Sequence, residues 1–380
     1  MQNPYFTDEH NMLRDQVRRF VENEIVPNGE AWEADGCVPR ELLRKMGDLG
    51  FLGLTHEEKY GGSGMDVRAA TVLAEELSRS TFAGVNITVL VHTNMASPHL
   101  ANAGNAAQKQ KYLPDIIAGK KITAVCVTEP AAGSDVAGIK SRAVRDGDDW
   151  IINGSKIFIT NGVYGDLYFV AAKTDPSAKG SRGISMFIVE KGTPGFSVGR
   201  SLKKHGWRSS DTAELFFDNV RVPAANLLGE ENQGFYAVMK NFQHERIMLA
   251  AMGIGEAQKA LDITVENVKQ RQAFGAPLFS KDVVRDKLAR LQTKISLARN
   301  YCYYVAWLDA QGGDCIKEVS MLKANACEMA NEVMYDCVQL HGGMGMTDEL
   351  NVGYYFKRLT AIDALFGNVD FHLARYGLVA

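Results

Sequence analysis

The feature that most limits the fold is a change of hydrophobic period along the chain. From Ile122 to Val222 the sequence is rich in β-branched and aromatic residues and is cut by turn pairs, whereas both flanks space their apolar residues as helices do. Asp146-Gly147, Asn153-Gly154, Asn161-Gly162 and Thr193-Pro194-Gly195 separate runs such as Trp150-Ile151-Ile152, Ile157-Phe158-Ile159-Thr160 and Ile184 to Val189. Regular turns without intervening helices predict antiparallel strands, hence a barrel or sandwich rather than a parallel nucleotide-binding sheet. Upstream, Thr7-Asp8-Glu9 opens a helix carrying Leu13, Val17, Phe20 and Val21, and Pro39 opens another through Leu42, Leu43 and Met46. After the turn-rich Tyr60-Gly61-Gly62-Ser63-Gly64, Ala69 to Leu77 resumes the helical spacing. Downstream of Gly229, long helical patterns cover roughly 234–270, 281–310 and 317–340, with a shorter one near the end. That succession predicts a bundle of about four helices. With 380 residues, too many for one typical core, the expectation is an α+β chain of three domains. These are helical over 1–120, β over 121–229 and a helical bundle over 230–380.

Charge and motif content exclude several functions. Lys and Arg total 42 against 45 for Asp and Glu, so a sequence-independent grip on nucleic acid is not expected. The longest uncharged stretch, Ser80 to Gln108, contains Asn86, His92, Thr93, Asn94 and His99, and reads as a buried helix of a soluble protein, not an integral membrane segment. The opening MQNPYFTDEH has neither the apolar core of a secretion signal nor the character of a transit peptide. Six cysteines, Cys37, Cys126, Cys302, Cys315, Cys327 and Cys337, form no CxxC pair, and they read as reduced core thiols of a cytoplasmic protein without a metal site. There is no GxxxxGK[ST], no GxSxG and no HExxH, and Gly253-Ile254-Gly255 lacks the third glycine and preceding strand of a dinucleotide fingerprint. Gly342-Gly343-Met344-Gly345 follows a helix and reads as its stop.

One acid stands where an apolar residue is expected. Phe235, Val238, Phe242, Glu245, Leu249 and Met252 follow spacings of three and four, which puts all six on one helix face. A carboxylate in such a seam is desolvated, and its pKa rises unless a cation compensates. Arg246 is adjacent, but neighbours on a helix point about 100° apart. The pattern alone leaves two readings open, a structural ion pair or an acid tuned for chemistry.

The segment Val125-Cys126-Val127-Thr128-Glu129-Pro130-Ala131-Ala132-Gly133-Ser134-Asp135 ends a strand with hydroxyls and small residues, whose backbone N–H groups can face a ligand. Read neutrally it is a capped turn. It also resembles the TEP-x-x-GSD signature of the acyl-CoA dehydrogenases. Further motifs follow in the family's order. Glu57-Glu58-Lys59-Tyr60-Gly61-Gly62 is similar to its PEEYGG, Lys156 to Gly162 to its KxWITNG strand, and Lys204 to Thr212 to its KxGxRxSxT. Arg271-Gln272-Ala273-Phe274-Gly275 resembles RxxFG, and Gln339-Leu340-His341-Gly342-Gly343 resembles QxxGG.

The resemblance implies a helical domain, a middle antiparallel β-barrel and a C-terminal four-helix bundle, assembled as a homotetramer. It implies non-covalent FAD and α,β-dehydrogenation of an acyl-CoA, with electrons passed to an electron-transferring flavoprotein. Val125, Val127, Thr128, Gly133 and Ser134 would lie along the flavin and the pantetheine, and Phe158 and Thr160 against the isoalloxazine. Arg271, Phe274, Gln339, Gly342 and Gly343 would meet the pyrophosphate and adenosine of a neighbouring subunit's FAD. Ser134, Phe242 and Arg246 would contact substrate. Many members carry their base near the C-terminus, but ungapped alignment from Arg358 through Leu365-Phe366-Gly367-Asn368 puts Gly367 there. The long-chain and isovaleryl types use a Glu in an Glu-Arg pair on the first bundle helix, here Glu245-Arg246, which hints at branched or medium to long acyl chains.

Departures from the family pattern are Phe158 for the usual Trp, Asp282 near a usual Gln, and the segment Phe366 to His372. His372 is expected at the surface or as a helix cap, and His92 either in the core or on the acyl pocket. Met321, Met329 and Met334, with Tyr301, Tyr303 and Tyr304, are expected to pack. Two other functions fit the same fold: a flavin oxidase or monooxygenase, and a non-catalytic scaffold.

Overall fold

The computed structural model describes residues 3–178, 180–347 and 367–379. The N-terminal part is helical: α1 (Asp8–Phe20), α2 (Gly29–Asp35), α3 (Arg40–Asp48), α4 (Val67–Ser78), α5 (Ala83–Leu90), α6 (Ser97–Ala103) and α7 (Ala106–Ile117). Their starts follow from local chemistry. Asp66 caps α4 by accepting the Arg68 N–H at 2.8 Å, and Asn105 and Gln108 cap α7 reciprocally at 2.9 and 3.0 Å. The uncharged stretch is not one helix. It forms α5 and α6, joined by a π-helical segment, Val91–Ala96, and enters α7.

The middle part is an eight-stranded sheet: β1 (Thr123–Cys126), β2 (Arg142–Asp146), β3 (Asp149–Thr160), β4 (Leu167–Lys173), β5 (Ile184–Glu190), β6 (Phe196–Ser201), β7 (Thr212–Pro223) and β8 (Leu227–Leu228). The order is β6-β7-β3-β2-β4-β5-β8, with β1 beside β4. Three expectations are corrected here. β1 runs parallel to β4, so the sheet is mixed. The end strands β6 and β8 do not pair, and no closed barrel forms among the described residues. Asn153-Gly154 is not a turn but a register shift inside β3, which continues to Thr160. Gly154 is required there: its φ is +145°, and a Cβ would stand 2.3 Å from Ser141 Oγ.

Strand alternation feeds two cores. Along β4, Leu167, Phe169 and Ala171 join the helices α6 and α7 in one apolar cluster, while Tyr168, Val170 and Ala172 face Trp150, Phe187 and Val220. These six of the seven β4 residues are fully buried, so both faces of the strand are covered.

The C-terminal part comprises α8 (Gly234–Gln270), a short hairpin of β9 (Gln272–Ala273) and β10 (Ala276–Pro277), α9 (Asp282–Ala310), α10 (Ile316–His341) and α11 (Val369–Val379). The three long helices match the expected patterns to within one or two residues. α8 has 37 residues, about 55 Å of rod. It packs on α4 as well as on its bundle neighbours, and Gly255 permits this approach, because a Cβ would lie 2.4 Å from the Glu75 carbonyl oxygen. Beside that contact, Arg14 bonds Glu75 and Glu76 at 3.0 and 2.7 Å, and Arg299 bonds Glu75 at 2.7 Å, tying α1, α4 and α9 together. No helix among the described residues is long and apolar enough to cross a membrane.

Candidate active site

The end of β1 and the first turns of α8 share one apolar cluster. Val127, Ala132 and Val136 from the strand side join Val238 from the helix, with Val125, Phe235, Met239 and Phe242 at its border. The turn after β1 is held from behind. Lys156 Nζ donates to the Val127 carbonyl at 3.0 Å and to Glu129 Oε1 at 2.8 Å. Glu129 also accepts the Lys140 and Ser141 N–H groups at 2.5 and 3.0 Å, and the Ile157 N–H bonds the Thr128 carbonyl at 3.0 Å. These contacts place Thr128 against Ile157, one residue from Phe158. Burial lowers the Lys156 pKa, whereas the Lys156 charge and hydrogen bonds outweigh burial at Glu129 and hold its carboxyl below the usual range.

This scaffold presents small and hydroxyl-bearing residues outward, beside an aromatic ring. Thr128 is half-buried, Gly133 and Ser134 are exposed, and a Cβ at Gly133 would meet nothing within 4 Å. Among the described residues neither the Thr128 nor the Ser134 hydroxyl has a hydrogen-bond partner. Phe158 leaves 63% of its surface to solvent while its backbone sits at φ +59°, an uncommon conformation for an aromatic residue. Thr160 follows two residues on, half-buried.

Glu245 lies further along α8 and is fully buried. Burial pushes its carboxyl up to about 8, against the opposing effects of Asn241 and Arg246. Asn241 Nδ2 donates to Glu245 Oε1 at 2.6 Å and to the Met95 carbonyl at 3.0 Å. Glu245 Oε2 is buried without a hydrogen-bond partner among the described residues. Arg246 is also buried, its guanidinium 5.8 Å from the Phe242 ring centre. Glu245 thus sits in the seam without a short-range ion pair to Arg246, which leaves a proton-binding acid in an apolar setting.

The remaining candidates stand elsewhere. From Glu245 to Arg271 is about 39 Å of continuous helix. Arg271 and Phe274 are exposed at that far end, with 96% of Phe274 open to solvent. His341 Nε2 lies 3.2 Å from Thr264 Oγ1, which brings the end of α10 to the same region. Gln339, Gly342 and Gly343 are exposed there, and a Cβ on either glycine would meet nothing within 4 Å. One chain therefore assembles two separate groups of candidates.

His92 is a core histidine: its Nδ1 accepts from the Thr123 N–H at 3.2 Å and its Nε2 meets the Ile116 carbonyl at 3.0 Å. His372, expected at the surface or as a cap, is instead fully buried. The position of Arg358, Leu365 and Phe366 lies outside the described residues. Sequence reasoning did not single out Asn241 or the pairing of Lys156 with Glu129. Asn241 was legible as a polar residue one helical turn before the seam acid, while the Lys156 pair joins distant segments and leaves no local signal.

Comparison with known proteins covers almost the whole chain. Three family models match: acyl-CoA dehydrogenase N-terminal domain over residues 7–120, middle domain over 124–220 and C-terminal domain over 232–376. Long-chain specific acyl-CoA dehydrogenase of Sus scrofa mitochondria is 42% identical over 341 residues, 90% of this chain and 79% of that protein. Mitochondrial isovaleryl-CoA dehydrogenase of Pongo abelii is 38% identical over 354 residues, 92% of this chain and 84% of that protein. The crystal structure of a glutaryl-CoA dehydrogenase from Mycobacterium smegmatis in complex with FADH2 superposes with a TM-score of 0.93 at 30% identity, covering 100% of this chain and 96% of that one.

Proposed function

The chain belongs to the acyl-CoA dehydrogenase family, and on that premise we propose that Glu245 is the base of its reaction. The activity is the FAD-dependent α,β-dehydrogenation of an acyl-CoA thioester to the trans-2-enoyl-CoA. The observation that carries the assignment of the base is the fully buried Glu245 carboxyl, with one oxygen tethered and the other without a hydrogen-bond partner among the described residues.

The residues at the ends of β1 and β3 fit the cofactor. A flavin ring needs an apolar face and polar edges, and here the exposed Phe158 follows Ile157, whose N–H bonds the Thr128 carbonyl, while the Thr128 and Ser134 hydroxyls have no hydrogen-bond partner among the described residues. Bound FAD supplies a two-electron acceptor for the hydride leaving the β-carbon. The protein supplies the rest. Glu245 takes the α-proton, and its apolar seam keeps the carboxylate weakly solvated and basic. Lys156 and Glu129 hold the β1 turn, so that Val125, Val127, Thr128, Gly133 and Ser134 stay in place along the ring. Ser134, Phe242 and Arg246 border the acyl-CoA, and Thr160 flanks the ring beside Phe158.

Arg271, Phe274, Gln339, Gly342 and Gly343 serve the FAD of a neighbouring subunit. Their distance from Glu245 along α8 supports sites shared between subunits, which fits the homotetramer proposed here, over a self-sufficient monomer. The electron acceptor is an electron-transferring flavoprotein, and the substrate carries a branched or medium to long acyl chain. Six free cysteines fit a cytoplasmic setting.

The test is an anaerobic panel of acyl-CoA thioesters against the FAD-loaded protein. Flavin bleaching by one class of chain, with slow reaction of the reduced protein with oxygen, is the expected result. Fast oxygen consumption without bleaching by any thioester indicates an oxidase or monooxygenase. Glu245→Gln is expected to bind acyl-CoA yet lose at least about a hundredfold in flavin reduction. Near-normal reduction in that variant moves the base elsewhere.

A further inference from the structure

We propose that Asn241 is the positioning residue of the base: its amide ties Glu245 Oε1 to the π-helical segment across the seam, and so assigns proton transfer to Oε2. The inference rests on the reading of Glu245 as the base.

Both amide protons of Asn241 are committed. One goes to Glu245 Oε1 at 2.6 Å, one helical turn away, and the other to the Met95 carbonyl at 3.0 Å. Asn241 is itself buried, at 2% exposure. The reverse orientation of the amide would set Oδ1 against two acceptors, so the hydrogen-bond pattern admits one arrangement. Met95 belongs to the π-helical segment Val91–Ala96, a wide-turn geometry that recurs at functional sites. The carboxyl is thus anchored to its own helix and also to the helix facing it.

This tether distinguishes the two oxygens. Oε1 is occupied, whereas Oε2 has no hydrogen-bond partner among the described residues. When the α C–H bond breaks, the proton forms an O–H bond at Oε2, and the electron pair left on the α-carbon drives hydride loss from the β-carbon to FAD. Oε1 keeps accepting from Asn241 in both protonation states, so the carboxyl does not rotate during transfer. The same bond favours the charged form against the burial that opposes it.

Other ionisable groups on the surrounding elements do not bond Glu245. His92 bonds Thr123 and Ile116, and His244 bonds Asp309 at 2.9 Å. Glu75 and Glu76 are held by arginines, Lys323 bonds the Gly367 carbonyl at 3.3 Å, and His99 is buried with its pKa lowered to about 4. Buried Glu256 lies three turns further along α8. Arg246 is the charged side chain that shifts the Glu245 carboxyl.

The experiment compares wild type with Asn241→Ala, Asn241→Asp and Glu245→Gln, all FAD-loaded. It reads the pH dependence of anaerobic flavin reduction, acyl-CoA affinity, and an infrared difference titration of the Glu245 carboxyl. Asn241→Ala is expected to move both the acid limb and the carboxyl titration up by about one pH unit, which slows reduction about tenfold at pH 7 with acyl-CoA affinity unchanged. Asn241→Asp keeps the side-chain size, and with a like charge beside Glu245 it moves them further in the same direction. If Asn241→Ala fails to fold, Asn241→Asp carries the test. A folded Asn241 variant with unmoved limb and titration overturns the positioning role while leaving the base in place. Normal reduction by Glu245→Gln overturns the base, and the positioning role with it.

Discussion

Lys156 Nζ lies 2.8 Å from Glu129 Oε1, and both side chains are withdrawn from water, at 0% and 5% exposure. The pair joins the middle of β3 to the turn after β1, and the lysine's second bond, to the Val127 carbonyl, fixes that turn's backbone directly. Buried charges hold one another in place only when every remaining lone pair and proton is satisfied, and here the Lys140 and Ser141 N–H groups complete the carboxylate.

Removing one charge therefore strands the other. Lys156→Met is expected to cost about 3 kcal/mol in urea unfolding and to weaken FAD binding. Adding Glu129→Leu should recover much of the stability but not the cofactor affinity, because the turn loses its anchor. A loss below about 1 kcal/mol for the single variant would show that the pair does not hold the turn.

Burial of the Glu245 carboxyl has a stability cost with a definite pH dependence. The Glu245 carboxyl ionises near 4.5 in the unfolded chain and near 8 when folded. Below 4.5 both forms are protonated and no penalty arises. As pH rises from 4.5 to 8, the unfolded chain releases a proton that the folded protein retains, so stability falls across that window and levels off above it. Glu245→Gln removes this term. Its stability advantage over wild type should grow through the window to several kcal/mol in denaturation series at successive pH values. A margin that stays flat between pH 5 and 8 contradicts a buried, raised acid.

Phe158 exposes most of its ring, so it contributes little to the fold. Phe158→Ala is expected to leave the melting temperature of the FAD-free protein unchanged while weakening FAD binding about tenfold. A clear drop in melting temperature with normal FAD affinity would make it a packing residue.

Gly255 allows α8 to lie against α4. Alanine is the better helix former by about 1 kcal/mol, but its Cβ would stand 2.4 Å from the Glu75 carbonyl oxygen and 2.7 Å from Ser78 Cβ. Backbone cannot yield as a flexible side chain does, and overpacking of this kind costs up to about 3 kcal/mol. Gly255→Ala should therefore lose about 2 kcal/mol by chemical denaturation, and a gain would mean the helices separate easily.

The long helices were legible because their period persists over many turns: Gly234 to Gln270 reads as one amphipathic rod before any tertiary contact is known. Glu245 was legible for the same reason, as an exception within a regular stripe. The sheet was less so. Asn153-Gly154 has the composition of a hairpin turn, yet the pairing of β3 with β7 carries the strand through it as a bulge. The parallel pairing of β1 with β4 joins Thr123 to Leu167 across the intervening β2 and β3, and nothing in either segment encodes its partner. Lys156 shows the limit most clearly, since its burial depends on a carboxylate from another part of the chain.

The stiffness of α8 sets what an isolated subunit can retain. Glu245 sits about a third of the way along the rod, and the exposed Arg271-Phe274 tip lies about 39 Å of helix further on. On the proposal that Arg271 and Phe274 serve a neighbouring subunit's FAD, a lone subunit would supply only part of the cofactor's contacts. Dilution, or a lesion at the bundle's outer rim, should release colour from the protein long before it unfolds any chain.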